Sequence, residues 1–241
     1  MPIGVITNVA SVVIGGIIGA ACGSKLSDDF KLKLNMIFGI CAMGMGVSSV
    51  GLMENMPAVI LAVILGTCIG LAIHLGEGIN RIGMAMQNLV IKAGLAGDHQ
   101  ADEAFKFTML TGIVLFCSSG TGIYGCLDSG MTGDHTILIA KSVLDLFTAL
   151  IFACQIGIVT SLIAIPQTII FMTLFFLAKL ILPLTTPTMI NDFKACGGFL
   201  LLATSFRMLK LRDLPLADMI PAMVIVMPLS YAWVNWIAPL M

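Results

Sequence analysis

Apolar residues run along this chain in long unbroken stretches, each close to the roughly 20 residues that a helix needs to cross a bilayer. Eight such stretches are readable: Ile3–Gly23, Leu34–Met53, Pro57–Leu75, Phe107–Tyr124, Thr136–Gln155, Gly157–Leu182, Ala195–Leu209 and Leu216–Ile237. In lipid a backbone must satisfy its own N–H and C=O groups, which only helices and closed barrels achieve. Barrel strands alternate apolar and polar residues, and these stretches do not. The pattern therefore predicts an all-α fold, a polytopic transmembrane helix bundle of about eight spans. The segment from Glu77 to Gly97 differs. Ile79, Ile82, Met86, Leu89, Val90 and Ala93 recur at helical spacing, with Asn80, Arg81, Gln87, Asn88 and Lys92 on the other face. This reads as an amphipathic helix on the cytoplasmic membrane surface. Gly97 to Ala104 (GDHQADEA) is the one plainly soluble stretch.

Composition narrows the class. The chain is 59% hydrophobic and 10% charged, against about 25% charged residues in a soluble domain. Its net charge is −1 and it has no basic run, so nucleic acid is not an expected partner. Ile3–Gly23 has no Lys or Arg before Lys25 and is of full span length, so it reads as a span rather than a cleaved signal peptide. Lys25, Lys31, Lys33, Arg81, Lys92, Lys106, Arg207, Lys210 and Arg212 all fall on one side of an eight-span chain. Lys194, with Lys179 near a helix end, falls on the other. Positive charge marks the cytoplasmic side, so both termini are expected outside, in the periplasm. Tyr231, Trp233 and Trp236 fit an aromatic anchor at the outer interface. The seven cysteines lie in or beside apolar stretches without metal-ligand spacing, so no metal and no cofactor are expected.

Small residues line single helix faces. Ser11, Gly15, Gly19 and Gly23 recur every fourth residue, as do Ala58, Ala62, Gly66 and Gly70. Such faces let helix backbones approach closely in lipid, within one chain or between the copies of a homodimer. A weak internal repeat is also present. Asp29-Phe30-Lys31 precedes the second span as Asp192-Phe193-Lys194 precedes the seventh. Leu52-x-Glu54-x-x-Pro57-Ala58 likewise matches Leu216-x-Asp218-x-x-Pro221-Ala222. An offset of five spans inverts one copy relative to the other, as in secondary transporters. The resulting organisation is a single membrane domain of repeat one (1–76), cytoplasmic connector (77–104), central spans (105–156) and repeat two (157–241).

The central spans hold the unusual chemistry. Ser118-Ser119-Gly120-Thr121-Gly122 interrupts the fourth span with hydroxyls and glycines, a composition suited to a broken helix that lines a cavity; an intact helix with a small packing face is the alternative. A loop from Gly125 to Asp134 is expected next, with Asp134 as N-cap of the fifth span or as a ligand. Lys141 and Asp145 lie four apart on one face, roughly 9 and 15 Å into that span at helical rise. Ionisable groups at such depth pair with each other or mark a transport path. Asn8 and Asn191 are further polar candidates. The candidate substrate-binding set is thus Ser118, Ser119, Thr121, Lys141, Asp145, Asp134, Asn8 and Asn191. No nucleophile elbow, HExxH or P-loop occurs, so an enzyme is not expected.

The opening Asn8…Gly15-Gly16, the run FCSSGTGIYG (Phe116–Gly125), GMTGDHTILIAKSVLDLFTA (Gly130–Ala149) and LPLTTPTMINDFKACGG (Leu182–Gly198) resemble the YqgA-like family of bacterial inner-membrane proteins. The resemblance covers essentially the whole chain. It implies a bacterial inner membrane but brings no substrate, since the family is a domain of unknown function. The physical reading predicts a secondary transporter or channel-like carrier of a small polar or ionic solute. The alternative is a membrane scaffold or accessory subunit with no substrate of its own.

Overall fold

The computed structural model describes residues 1–22, 27–92, 103–117 and 119–240. Each predicted span is helical there. In chain order the helices are α1 (Ile3–Cys22), α2 (Asp28–Val50), α3 (Met56–Ala72), α4 (Leu75–Lys92), α5 (Glu103–Cys117), α6 (Gly120–Thr132), α7 (Thr136–Ile156), α8 (Val159–Leu162), α9 (Ala164–Ile181), α10 (Pro187–Met208) and α11 (Pro221–Ala232). A π-type turn, Trp233–Ile237, continues α11. Among the described residues, Ile3–Ala21, Asp29–Val50, Thr108–Thr132, Thr136–Ile156 and Val159–Leu184 are each long and apolar enough to cross a membrane, and α3 taken with α4 gives a sixth. The remaining two predicted spans fall short for different reasons: α10 carries Asp192, Lys194 and Arg207, and α11 is short. Large apolar side chains such as Leu180, Val224 and Ile169 stand more than 60% exposed. Soluble monomers rarely present an apolar surface on this scale; it is one made to face lipid.

The first of two compact units comprises Met1–Asn35 and Glu77–Ala178. Its spine is α1 lying along α7. A Cβ at Gly15 would meet the Leu146 carbonyl oxygen, and one at Gly19 the Leu150 carbonyl oxygen. Because these contacts advance together in sequence, the two helices run parallel. Gly15 and Gly19 of the small-residue face of α1 are therefore occupied within the chain, and Gly23 lies outside the described residues. Gly157, with φ of 62°, ends α7 by a turn open to glycine. Next, Ser161 Oγ donates to the Val13 carbonyl at 3.1 Å, drawing α8 against α1 at Gly16. Val12, Met109, Ile113, Phe116, Ala149 and Ile163 form the core between these helices. The segment read as an amphipathic helix is helical in α4 as far as Lys92, and residues 93–102, most of the soluble stretch among them, lie outside the described residues. Gln87, read on its polar face, is buried, its Nε2 donating to the Lys106 carbonyl. Gly83 seats α4 against Leu110 of α5, and Met86 and Val90 pack on the core.

The segment expected to be a loop, Gly125 to Asp134, is helical as far as Thr132. Its glycines serve packing rather than turning: Gly125 lies against Leu138, and Gly130 leaves no room for a Cβ beside the Phe175 carbonyl. Only Gly133, at φ 76°, turns the chain.

The second unit comprises Met36–Gly76 and Lys179–Met241. Here α3 runs antiparallel to α11, Gly66 against Ala222 and Gly70 against the Asp218 carbonyl. The small-residue face of α3 is thus also filled by its own chain. Residues of α2 pack antiparallel on α10, with Gly39 against Leu209 and Gly46 against Leu202. The sequence blocks read as repeats are interleaved between the two units.

Candidate functional site

Helix geometry puts Lys141 and Asp145 one turn apart on α7, and the structure directs both into the first unit's interior. Their side chains are 5% and 8% exposed, and Lys141 Nζ lies 2.8 and 2.6 Å from Asp145 Oδ1 and Oδ2. The close seat of α1 on α7 brings Asn8 to the same level. Asn8 Nδ2 donates to Asp145 Oδ2 at 2.8 Å, and Asn8 is wholly buried. From α9, Gln167 Nε2 donates to Asn8 Oδ1 at 2.8 Å and approaches the Phe116 carbonyl at 3.4 Å. A chain of polar side chains thus crosses from α7 through α1 to α9 and ends at the last turn of α5.

The fourth span breaks at that end. α5 stops at Cys117, Ser119 is extended (φ −68°, ψ 138°), and α6 starts at Gly120. Ser119 Oγ accepts from Gly122 N at 3.1 Å and so caps the new helix. Thr121 is buried in the first turn of α6, where Gly122 gives room to Phe171 of α9. Ser118 lies outside the described residues. The first unit therefore links Asn8, Lys141 and Asp145 directly, and connects them to the break through Gln167.

Two candidates stand elsewhere. Asp134 is exposed at the turn between α6 and α7, its Oδ1 accepting from Thr136 N at 2.9 Å. His135, the residue just before α7, makes no side-chain cap of its own, so Asp134 serves the start of the helix from one position upstream. Asn191 belongs to the second unit, where its Nδ2 donates to Glu54 Oε1 at 2.6 Å.

Sequence reasoning missed Gln167, although it is the one carboxamide in the Gly157–Leu182 stretch. It also read Asp192 only as a repeat landmark. That carboxylate is wholly buried in the second unit. It accepts from Glu54 N, Asn55 N and Asn55 Nδ2, each at 2.9 Å, and from Ser230 Oγ at 2.6 Å. The donors hold the start of α3 against α10 and α11. Asp192 is a satisfied structural anion, whereas the Asp145 network ends on an unsatisfied group: Gln167 Oε1 is buried without a partner among the described residues.

Apolar helices that bury an ion pair and expose branched aliphatic side chains define an integral membrane protein. The chain belongs to the family described as protein of unknown function (DUF554), whose profile matches residues 3–231. It is 45% identical over 238 residues to the uncharacterized protein YqgA of Escherichia coli (strain K12), covering 99% of this chain and all of that one. It is 21% identical over 231 residues to the uncharacterized membrane protein YdfK of Bacillus subtilis (strain 168), covering 92% and 93% of the two chains. No solved structure matches. The resemblance read from the sequence is thus shown.

Proposed function

We propose that the protein is a secondary transporter or channel-like carrier for a small polar or ionic solute in the bacterial inner membrane, with both termini periplasmic. The carrying observation is the buried Lys141–Asp145–Asn8–Gln167 network, which reaches the Phe116 carbonyl in the last turn of α5, just before the Ser119 break. Charges inside a membrane protein are costly and gather on transport paths, and discontinuous helices build transporter sites.

The helix directions lend support. Asn8 faces Gln167 while Val13 faces Ser161, so α1 and α9 are antiparallel, as are α2 with α10 and α3 with α11. An inverted repeat of the first three and last three spans requires this of every equivalent pair. The parallel run of α1 and α7 fits an odd number of crossings between them. That agrees with α2, α3 and the broken α5–α6 crossing while α4 lies along the surface.

The test is reconstitution into vesicles with a panel of small ions and polar solutes. Flux above that of protein-free vesicles is expected, lost in the folded double variant Lys141→Met with Asp145→Leu. A folded double variant with unimpaired flux moves the site elsewhere. Absence of any flux favours a scaffold or accessory subunit.

A further inference from the structure

We infer that the Gln167 end of the network binds a small uncharged solute presenting an O–H or N–H donor, such as a polyol, urea or a simple amide. This rests on the transport reading and chooses among its solutes.

The direction of every hydrogen bond follows from one charge. The Asp145 carboxylate only accepts, so Asn8 turns Nδ2 toward it and Oδ1 away. Gln167 must then present Nε2 to that oxygen. Reversing the Gln167 amide would set oxygen against oxygen, so Oε1 is forced to the far side. There it is wholly buried and without a donor among the described residues. Buried acceptors in this condition are uncommon and costly, and ask for a donor from outside the chain. Thr160 Oγ1, also wholly buried and unpartnered among the described residues, lies about two turns earlier along α8 and α9.

Charge decides the class of solute. Lys141 engages both oxygens of Asp145, so the pair is already neutral. An ion beside Oε1 would bring uncompensated charge into an apolar bundle, whereas a neutral donor would not.

Stopped-flow light scattering on vesicles holding the full-length protein reads neutral-solute entry directly. With glycerol, urea and acetamide as probes, wild-type vesicles are expected to re-swell faster than protein-free ones for at least one probe. Gln167→Leu should cut that protein-dependent component about tenfold, the effect of one lost hydrogen bond to the solute. Because Gln167→Leu also leaves Asn8 Oδ1 without its donor, and can misfold, the wild-type result decides alone. Sodium and chloride flux is measured on the same vesicles. Ion flux without entry of any of the three probes overturns this inference and leaves transport standing. No flux of either kind overturns both, and Oε1 then holds a structural water. A folded Gln167→Leu protein with unchanged entry also overturns it.

Discussion

At the scale of single residues, two buried aspartates meet their needs by different means, and each allows a stability prediction. Asp145 relies on the Lys141 ammonium and the Asn8 amide. Asp145→Asn leaves that ammonium buried and unpaired, so a loss of about 3–5 kcal/mol is expected. Lys141→Met with Asp145→Leu removes both charges and leaves only the Asn8 amide without an acceptor, a loss of about 1–3 kcal/mol. Thermal unfolding of the purified variants in one detergent compares them. A double variant as unstable as the single one would show that the ion pair is not what the single change disturbs. Asp192 instead accepts from two backbone N–H groups, an amide and a hydroxyl. Asp192→Asn puts an NH₂ group among donors, and a loss of about 3 kcal/mol is expected in the same assay. The Lys141–Asp145 pair was legible because a spacing of four within one helix fixes a shared face whatever surrounds it. Gln167 was not, because its role depends on the register of α1 against α9, which no pattern within a single helix encodes. Asn8 stood out as polar, but its partner was equally out of reach.

At the scale of elements, glycine carries the most information and misleads most easily. Gly15 and Gly19 sit where α1 meets carbonyl oxygens of α7, whereas a Cβ at Gly44 on α2 meets nothing within 4 Å. Gly15→Ala and Gly19→Ala must push two backbones apart and should each cost about 1–3 kcal/mol. Gly44→Ala should change stability by no more than about 0.5 kcal/mol. Melting temperatures of the three variants provide the check, and equal losses at all three would detach the effect from helix contact. The four-residue spacing made these faces legible from sequence, since it places the glycines in one line whatever they pack on. The same residue type produced the error at Gly125 to Thr132. Two glycines and several polar residues there resemble a loop, but Leu138 and the Phe175 carbonyl are the neighbours that require small residues at those points. Composition gives the same signal for a turn and for a tight helix contact. Only the opposing element separates them.

At the scale of the whole molecule, the proposed inverted repeat predicts more than antiparallel packing. The paired Asp-Phe-Lys landmarks set Gly39 equivalent to Leu202 and Gly46 to Leu209. The contact of Gly39 with Leu209 then maps onto that of Gly46 with Leu202, and both are present. Recurrence every seven residues along a helix pair produces such a match easily, so the stronger consequence concerns sidedness. If the copies are inverted, the turn before α2 and the turn before α10 face opposite sides of the membrane. Lys31 and Lys33 follow the first turn in sequence, and the proposed orientation puts it in the cytoplasm. Ser27 and Leu184 are exposed at these two turns and accept a probe without disturbing a core. In a background lacking native cysteines, Leu184→Cys is expected to react with an impermeant maleimide in intact spheroplasts. Ser27→Cys should react only after permeabilisation. Reaction of both from the same side would make the copies parallel and remove the repeat from the case for transport. Reaction of Ser27→Cys alone would keep the inversion and reverse the orientation, placing both termini in the cytoplasm.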